Sequence, residues 1–121
     1  THDTQSPMYD KKTKGDISCG KGPVLSYAPA VQNKLRDMMI DVANENNIPF
    51  QRMAASRATG TDTDAFAYSN DGVASSLISL PQKYMHTTVE TIHKDDLENV
   101  IQLIFNFVCK LDANQNFNYI K

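Results

Sequence analysis

The feature that most constrains the fold is a change of hydrophobic period along the chain. Residues 24–27 form a short β-rich run after Gly22-Pro23, which predicts a strand. From Pro29, apolar side chains recur at helical spacing and predict a helix that ends within residues 44–47. The residues on this apolar face are Val31, Leu35, Met38, Met39 and Val42.

The alternation continues beyond this helix. Residues 48–53 are a second strand candidate, and Thr61 or Asp62 can cap a short helix that runs to Tyr68. Residues 73–80 are rich in β-formers with small residues on both faces, which predicts a buried central parallel strand ended by Pro81. Strands that alternate with helices predict an α/β domain with a parallel or mixed sheet flanked by helices.

The last part of the chain predicts a helix and a tail. Asp95 and Asp96 open the helix, and an apolar stripe along it is expected to face the core. The stripe consists of Leu97, Val100, Ile101, Ile104, Phe105 and Val108. No domain boundary is visible, so residues 1–111 are predicted to form one unit, with residues 112–121 as a loosely attached tail.

Charge and cysteine content restrict the class of partner and the compartment. The net charge of −2 gives no electrostatic basis for binding nucleic acid or an anionic membrane surface. No apolar run approaches the roughly 20 residues that a membrane span needs. Cys19 and Cys109 are predicted to be free thiols, buried or half-buried, and this favours a reducing compartment, the cytoplasm.

Two residues are candidates for metal binding. His86 follows the predicted strand 73–80 by six residues, where α/β enzymes place reactive groups. It is either a histidine satisfied by a neighbouring hydrogen bond or a metal ligand oriented by Glu90 or Asp62. Asp3, at the end of a predicted short strand, is either a turn former or a ligand for a divalent cation.

A third candidate region is the sequence Gly60-Thr61-Asp62. Its backbone N–H groups, at a helix start, can bind an anion such as a substrate carbonyl oxygen or carboxylate. Helix capping is the alternative role for Asp62 and for Asp64. These two carboxylates are two positions apart and do not face each other on a helix, so a shared-proton pair is not predicted.

Much of the machinery of a hydrolase is missing from the sequence. It contains no Glu-Glu pair, HExxH, GxSxG, P-loop or GxGxxG motif. A metal hydrolase needs three or more protein ligands and a general base, and the chain offers two credible ligands. No pair of carboxylates predicts a glycosidase either.

Seven motifs, in order over about residues 1–108, resemble the M42 metallo-aminopeptidases, the glutamyl aminopeptidase or TET-like family. They are HDTQSP, GKGPV, ENNIPFQ, TGTDTDAF, GVASSLISLP, YMHTTVE and DLENVIQL. The resemblance implies part of a three-layer α/β/α sandwich of the zinc aminopeptidase type. It also implies a two-metal enzyme, with zinc or cobalt, that removes N-terminal residues from peptides.

The resemblance assigns a metal-ligand role to two residues. The late His of the family motif falls on His86, and the late Asp falls on Asp3, although two residues separate Thr4 from the following proline here. In the family these ligands bind different ions. The other ligands and the general-base Glu precede the position of Thr1, so no catalytic residue is expected within this sequence.

The resemblance therefore implies an inactive C-terminal portion of an aminopeptidase whose substrate is a peptide. Neither of the two divalent ions should be fully bound by this portion alone. An exposed strand edge and bare apolar helix faces predict a homo-oligomer. The alternative is a stand-alone α/β binding or interaction module without catalytic activity.

Overall fold

The computed structural model describes residues 1–7 and 9–118, and it shows an α/β fold with mixed sheets flanked by helices. The strands are β1 (His2–Asp3), β2 (Val24–Tyr27), β3 (Gln51–Ala54), β4 (Ile78–Ser79), β5 (Pro81–Lys83) and β6 (Thr91–Ile92). The helices are α1 (Lys11–Lys14), α2 (Asn33–Glu45), α3 (Thr63–Phe66) and α4 (Lys94–Lys110). The strands form two three-stranded sheets, in the orders β1-β5-β6 and β3-β2-β4.

The core lies between the β3-β2-β4 sheet and the helices α2 and α4. Strand β2 is central, and it pairs in parallel with β3 and antiparallel with β4. The predicted strand 24–27 is confirmed, and the second strand lies at Gln51–Ala54 rather than at residues 48–53. The buried apolar cluster consists of Leu25, Met39, Val42, Ala43, Ile48, Leu103 and Phe107.

Helix α2 confirms the period-based prediction but begins later than Pro29. Gln32 is the N-cap, and its side-chain oxygen accepts a hydrogen bond from the Leu35 N–H at 2.8 Å. This cap satisfies one of the backbone donors that every helix start leaves unpaired. The helix ends at Glu45, and Asn47 follows in the left-handed region at φ 54°.

Asp96 ties the start of α4 to the loop before β2. Its carboxylate accepts hydrogen bonds from the backbone N–H groups of Gly20 (2.6 Å) and Gly22 (2.7 Å), and its side chain is completely buried. Gly22 has φ 87°, and a Cβ added there would lie 1.9 Å from the carbonyl oxygen of Pro49. Only glycine fits this close approach between the loop and the chain that enters β3.

The prediction of a buried central parallel strand over residues 73–80 is wrong. Only Ile78–Ser79 pair with β2, antiparallel and at the edge of the sheet, and Val73 is 51% exposed. Of the preceding residues, Leu77 accepts through its carbonyl from the N–H of Ser26 in β2 at 3.3 Å, whereas the carbonyl of Ser75 accepts from the N–H of Gln32 at 2.8 Å. Pro81 does not end the extended chain but begins β5, and its missing N–H is tolerated at a first strand position.

Helix α4 is confirmed, but most of its predicted core stripe faces outward. Leu103 and Phe107 provide its buried contacts, and Val100 is half-buried. Cys109 is exposed rather than buried or half-buried, whereas Cys19 is intermediate, and both are free thiols. The stripe residues that remain exposed are Leu97, Ile101, Ile104, Phe105 and Val108.

The described part of the tail contacts the start of α2. The carbonyl of Phe117 accepts a hydrogen bond from the Gln32 side chain, and that of Asn118 accepts from Lys34 Nζ at 2.9 Å. Residues 119–121 of the predicted tail lie outside the described residues. Across residues 1–7 and 9–118, no helix has the length and apolar character required to traverse a bilayer.

Candidate metal-ligand site

One predicted metal ligand lies in a strand, and the other lies in a connecting loop of the same sheet. Asp3 is the last residue of β1, which pairs in parallel with β5 so that Asp3 lies opposite Gln82. Residues 84–90, which contain His86, form the loop between the antiparallel strands β5 and β6. Because β1 and β5 run in the same direction, Asp3 at the end of β1 and the loop that follows β5 lie at the same end of the sheet.

Buried hydrogen bonds fix the pairing that brings Asp3 to this end. The N–H of Thr4 donates to the carbonyl of Gln82 at 2.9 Å, and the Thr4 hydroxyl donates to the same oxygen at 3.0 Å. On the other side of Asp3, the N–H of His2 donates to the carbonyl of Leu80 at 2.9 Å. The backbone of Asp3 is therefore held from both directions.

The carboxylate of Asp3 is held in its charged form. Partial desolvation acts to raise its pKa, but polar donors outweigh this effect and leave the pKa below its usual value. These donors are the side chain of Ser6 and the backbone N–H groups of Gln5, Met85 and Ser6. The contact with Met85 places the Asp3 carboxylate next to the residue that precedes His86.

One carboxylate oxygen of Asp3 has an unusual environment. Oδ1 is buried and has no hydrogen-bond partner within the described part of the chain. Buried polar atoms in native proteins are nearly always paired, so an orphan of this kind requires an explanation. A divalent cation is a fitting partner, because carboxylate oxygens bind zinc and related ions.

His86 stands in a strained and exposed loop. Its φ is 63°, and that of Tyr84 is 56°, so two non-glycine residues adopt the left-handed region within three positions. The backbone N–H of His86 donates to Glu90 Oε1 at 2.6 Å. The side chain of Glu90 thus contacts the backbone of His86, rather than its imidazole ring as the sequence suggested.

Gln82 joins the parts of this site, although no sequence pattern indicates this role. It is buried, its backbone lies opposite Asp3, and its Nε2 donates to Glu90 Oε1 at 3.2 Å. The same Glu90 oxygen therefore accepts from Gln82 and from the backbone of His86. A lone Gln after a proline carries no recognisable signal, so only the fold reveals the connection.

His2 does not join Asp3 in the site. Its Nε2 shares a hydrogen bond of 3.0 Å with Tyr9 Oη, and the two rings stack edge to face. Burial lowers the pKa of His2, as does the nearby positive N-terminus. This arrangement agrees with the expectation that successive strand residues point to opposite sides.

The region around Gly60 is organised by Asp64. Its carboxylate accepts from the backbone N–H groups of Thr59 (3.0 Å) and Gly60 (2.9 Å), and these bonds lower its pKa, that from Thr59 most. The Gly60 donor, which the sequence assigned to an anion, is thus already bonded within the chain. Asp62 is the N-cap residue of α3, but its side chain makes no capping hydrogen bond.

The chain offers a carboxylate and an imidazole. Both are donor types that bind metal ions, but two donor groups are too few to form a metal centre. Among residues 1–7 and 9–118, no group of three or more His, Cys, Asp or Glu side chains is arranged to hold a metal ion. A catalytic zinc ion needs three protein ligands and an open position. Asp3 and His86 can therefore contribute ligands only to a centre that other residues complete.

Two cavities are lined by residues other than these ligands. One of about 380 Å³ lies beside the loop that follows β2 and includes Gln32, Tyr68 and Phe117 in its lining. Another of about 250 Å³ is lined in part by Cys19, Lys83 and His93. Neither is lined by Asp3, Gly60, Asp62, His86 or Glu90.

Comparison with known proteins identifies relatives along most of the chain. The family model of the M42 glutamyl aminopeptidases matches residues 1–103. A lysyl aminopeptidase of Pyrococcus furiosus is 39% identical over 92 residues, which are 74% of this chain and 27% of that protein. The chain thus spans about a quarter of the length of this curated relative.

Solved structures agree in fold with these sequence relatives. The TET aminopeptidase of the marine sediment archaeon Thaumarchaeota archaeon SCGC AB-539-E09 superposes with a TM-score of 0.72 and 31% identity, covering 78% of this chain and 27% of that one. PhTET1-12s, solved as a dodecamer in the asymmetric unit, gives a TM-score of 0.69 and 32% identity, covering 88% and 31%. Sequence and structure comparisons thus agree on the same group of proteins.

Proposed function

Because the chain belongs to the M42 glutamyl aminopeptidase family, we propose that it forms the C-terminal part of a metal-dependent aminopeptidase that releases N-terminal residues from peptides. The observation that carries the proposal is the environment of Asp3. Its ionised carboxylate lies beside the His86 loop and keeps one buried oxygen unpaired within the described residues. That is the arrangement of a ligand prepared for a cation.

Asp3 and His86 are the proposed metal ligands, each for a different one of two divalent ions, zinc or cobalt. When bound, such ions polarise the scissile carbonyl and activate the attacking water. Within this chain, the paired strands β1 and β5 position the Asp3 carboxylate. Glu90 holds the backbone of His86, and Gly60 and Asp62 are proposed to lie at the substrate side of the site.

The chain by itself is proposed to be inactive. The described residues contain no group of three or more His, Cys, Asp or Glu side chains that could hold a metal ion, and a hydrolytic centre also needs a general base. The remaining ligands and the base must therefore come from other polypeptide. In this proposal, residues 1–111 belong to the catalytic domain and residues 112–121 form an attached tail.

The assembly and the compartment are proposed on separate grounds. The dodecamer of PhTET1-12s supports a homo-oligomer for the complete enzyme. Cys19 and Cys109 are both free thiols, which supports the cytoplasm, where glutathione and thioredoxin keep thiols reduced.

A chimeric enzyme tests the proposed function. Residues 1–103 would replace the matching region of the Pyrococcus furiosus lysyl aminopeptidase, and release of N-terminal residues from peptides would be followed with zinc or cobalt. We expect activity in the chimera and a loss of at least about 100-fold in its His86→Ala variant, because a metal ligand is removed.

His93→Ala is the matched control, since His93 is an exposed histidine that caps α4 through the Asp95 N–H at 3.3 Å. This variant should retain the activity of the chimera. A chimera that folds and binds metal but releases no N-terminal residue contradicts the proposed function. Equal activity of the two histidine variants contradicts the role of His86 alone.

A further inference from the structure

Gln82 contacts both segments that carry a proposed metal ligand, and it does so through two different groups. Its backbone carbonyl accepts from the N–H of Thr4 at 2.9 Å and from the Thr4 hydroxyl at 3.0 Å. Its side-chain amide donates to Glu90 Oε1 at 3.2 Å. The same oxygen accepts from the backbone N–H of His86 at 2.6 Å. A continuous path of hydrogen bonds therefore leads from the residue after Asp3 to His86.

The register of the sheet explains why the Gln82 amide reaches Glu90. Gln82 lies opposite Ile92 in the antiparallel pair of β5 and β6. Glu90 precedes Ile92 by two positions, and side chains two positions apart along an extended chain point to the same side. Gln82 and Glu90 are thus diagonal neighbours, a spacing that long side chains can bridge. The pairing of β5 with β6 therefore brings these two side chains together.

Burial gives the Gln82 amide a cost that hydrogen bonds must offset. The residue is 4% exposed, and Thr4 beside it is 1% exposed. An apolar side chain would fill such a position without that cost, because a buried amide loses its hydrogen bonds to water. Glu90 is exposed, so the buried amide restrains a carboxylate that would otherwise be free to change rotamer in solvent. Because the amide is neutral, it orients Glu90 without neutralising its charge.

The restraint on Glu90 matters because of the backbone conformation at His86. Its φ of 63° is in the left-handed region, which a residue with a side chain seldom adopts without support. The Glu90 carboxylate gives this support by accepting from the N–H of His86, and the Gln82 amide holds that carboxylate. Loss of the hydrogen bonds that orient metal ligands typically weakens metal binding by about 10- to 100-fold.

We propose that Gln82 is a positioning residue for the metal centre and that its side-chain amide sets the affinity for the ion bound by His86. This role rests on the proposed function, in which Asp3 and His86 bind different ions. The amide acts on the His86 side through Glu90, whereas the backbone carbonyl acts on the Asp3 side. A side-chain substitution removes the first contact and leaves the second in place. Gln82 thus acts through Glu90 and needs no contact with the ion.

Calorimetric titration of the chimera with zinc tests this assignment. The binding step that His86→Ala removes identifies the ion held by His86. Gln82→Met keeps the length of the side chain but has no donor, so it should weaken that step by about 10-fold and leave the other step unchanged. Gln51→Met is the matched control, because the Gln51 amide donates to the carbonyls of Ser18 and Gly22 at 2.9 Å. The control should lower stability but leave both zinc steps unchanged.

A double-mutant cycle tests the path through Glu90. Glu90→Ala, at an exposed position, should weaken the same zinc step, and Gln82→Met should cause no further loss in that background. Additive losses would overturn the inference, as would a Gln82→Met chimera that binds zinc no more weakly than the Gln51→Met control. These outcomes differ from failure of the proposed function, in which the chimera releases no N-terminal residue or His86→Ala leaves both zinc steps intact.

Amide hydrogen exchange in the metal-free chain gives a readout that does not depend on zinc. Gln82→Met should accelerate exchange at His86 relative to exchange at Val42 in the core, because it releases the Glu90 carboxylate while the core stays closed. Gln51→Met should leave this ratio unchanged. The same ratio in both variants would show that the amide does not restrain the His86 loop and would overturn the inference.

Discussion

Glu90 accepts a hydrogen bond of 2.6 Å from the backbone N–H of His86, and it accepts a second bond of 3.2 Å from Gln82. A carboxylate that accepts from the backbone N–H of the proposed ligand His86 fixes the position of its backbone, but it does not determine which ring nitrogen is free. The left-handed φ of His86 makes this control necessary, because the conformation is unfavourable without support.

We therefore expect Glu90→Ala to loosen the loop between β5 and β6. The free energy of unfolding should fall by about 1 kcal/mol, the typical net contribution of an intramolecular hydrogen bond. Amide hydrogen exchange at His86 should accelerate, and urea denaturation would report the stability change. Glu98→Ala is the control, since Glu98 is exposed and makes no hydrogen bond within the described residues. Equal effects of the two substitutions would contradict the role of Glu90.

Asp96→Ala should destabilise the protein by about 3 kcal/mol. The substitution leaves the N–H groups of Gly20 and Gly22 without their acceptor, and one of these bonds is fully buried. Asp96→Asn should cost less, because one acceptor oxygen remains. Asp95→Ala, one position earlier and exposed, should change the urea midpoint little. A mild Asp96→Ala phenotype would show that the loop does not depend on this carboxylate.

Two glycine substitutions separate steric clash from backbone strain. Gly22→Ala places a Cβ 1.9 Å from the Pro49 carbonyl oxygen, whereas Gly15→Ala meets nothing within 4 Å, although both glycines have φ near 90°. We expect Gly15→Ala to cost about 1 kcal/mol and Gly22→Ala more than about 3 kcal/mol, measured by thermal or urea unfolding. Similar losses at both positions would contradict the close approach of the loop to Pro49.

The Asp64 hydrogen bonds predict a pH dependence of the turn before α3. Because the Thr59 N–H and then the Gly60 N–H lower the folded-state pKa of Asp64, its contribution is complete above the unfolded value of 3.8. It is lost as the pH falls below 3.8 through the folded pKa. Amide resonances of Thr59 and Gly60 should shift in that range, and Asp64→Asn should abolish the titration. Unchanged shifts in Asp64→Asn would assign the transition to another group.

Hydrophobic periodicity and turn residues correctly predicted those elements that depend on residues close together in the sequence. The face of α2 and the strand Val24–Tyr27 follow from spacing and turn residues, and both are present. The strand prediction for residues 73–80 was wrong because β-propensity does not indicate which neighbouring strand is available for pairing. Ser75 accepts a hydrogen bond from the chain before α2, and the hydrogen bonds to β2 begin at Leu77, followed by the pairing of Ile78–Ser79.

The prediction that the apolar stripe of α4 faces the core was wrong for a related reason. The helix is apolar on two faces, and periodicity alone cannot say which of them the core uses. Leu103 and Phe107 were in neither the predicted stripe nor any other expected core set, yet they make the buried contacts. Asp96 decides the outcome, because its bonds to the glycine loop fix the rotation of the helix.

The identity of the candidate site residues was predictable from the sequence, but the contacts that connect them were not. Asp3 and His86 followed from their positions after strands and from family motifs, and the structure places the Asp3 carboxylate beside the residue before His86. The parallel pairing of β1 with β5 and the bridging role of Gln82 required the fold. Both depend on contacts between residues about 80 positions apart, which local pattern does not encode.

The central claim is that Asp3 and His86 are metal ligands of a centre completed by other polypeptide. Anomalous diffraction at the zinc edge, from crystals of the zinc-bound chimera described above, tests this most directly. The account predicts an Asp3 carboxylate oxygen and a His86 ring nitrogen each about 2.0–2.2 Å from a zinc ion, on two different ions. Zinc peaks bound by other residues, with Asp3 and His86 uncoordinated, would contradict it.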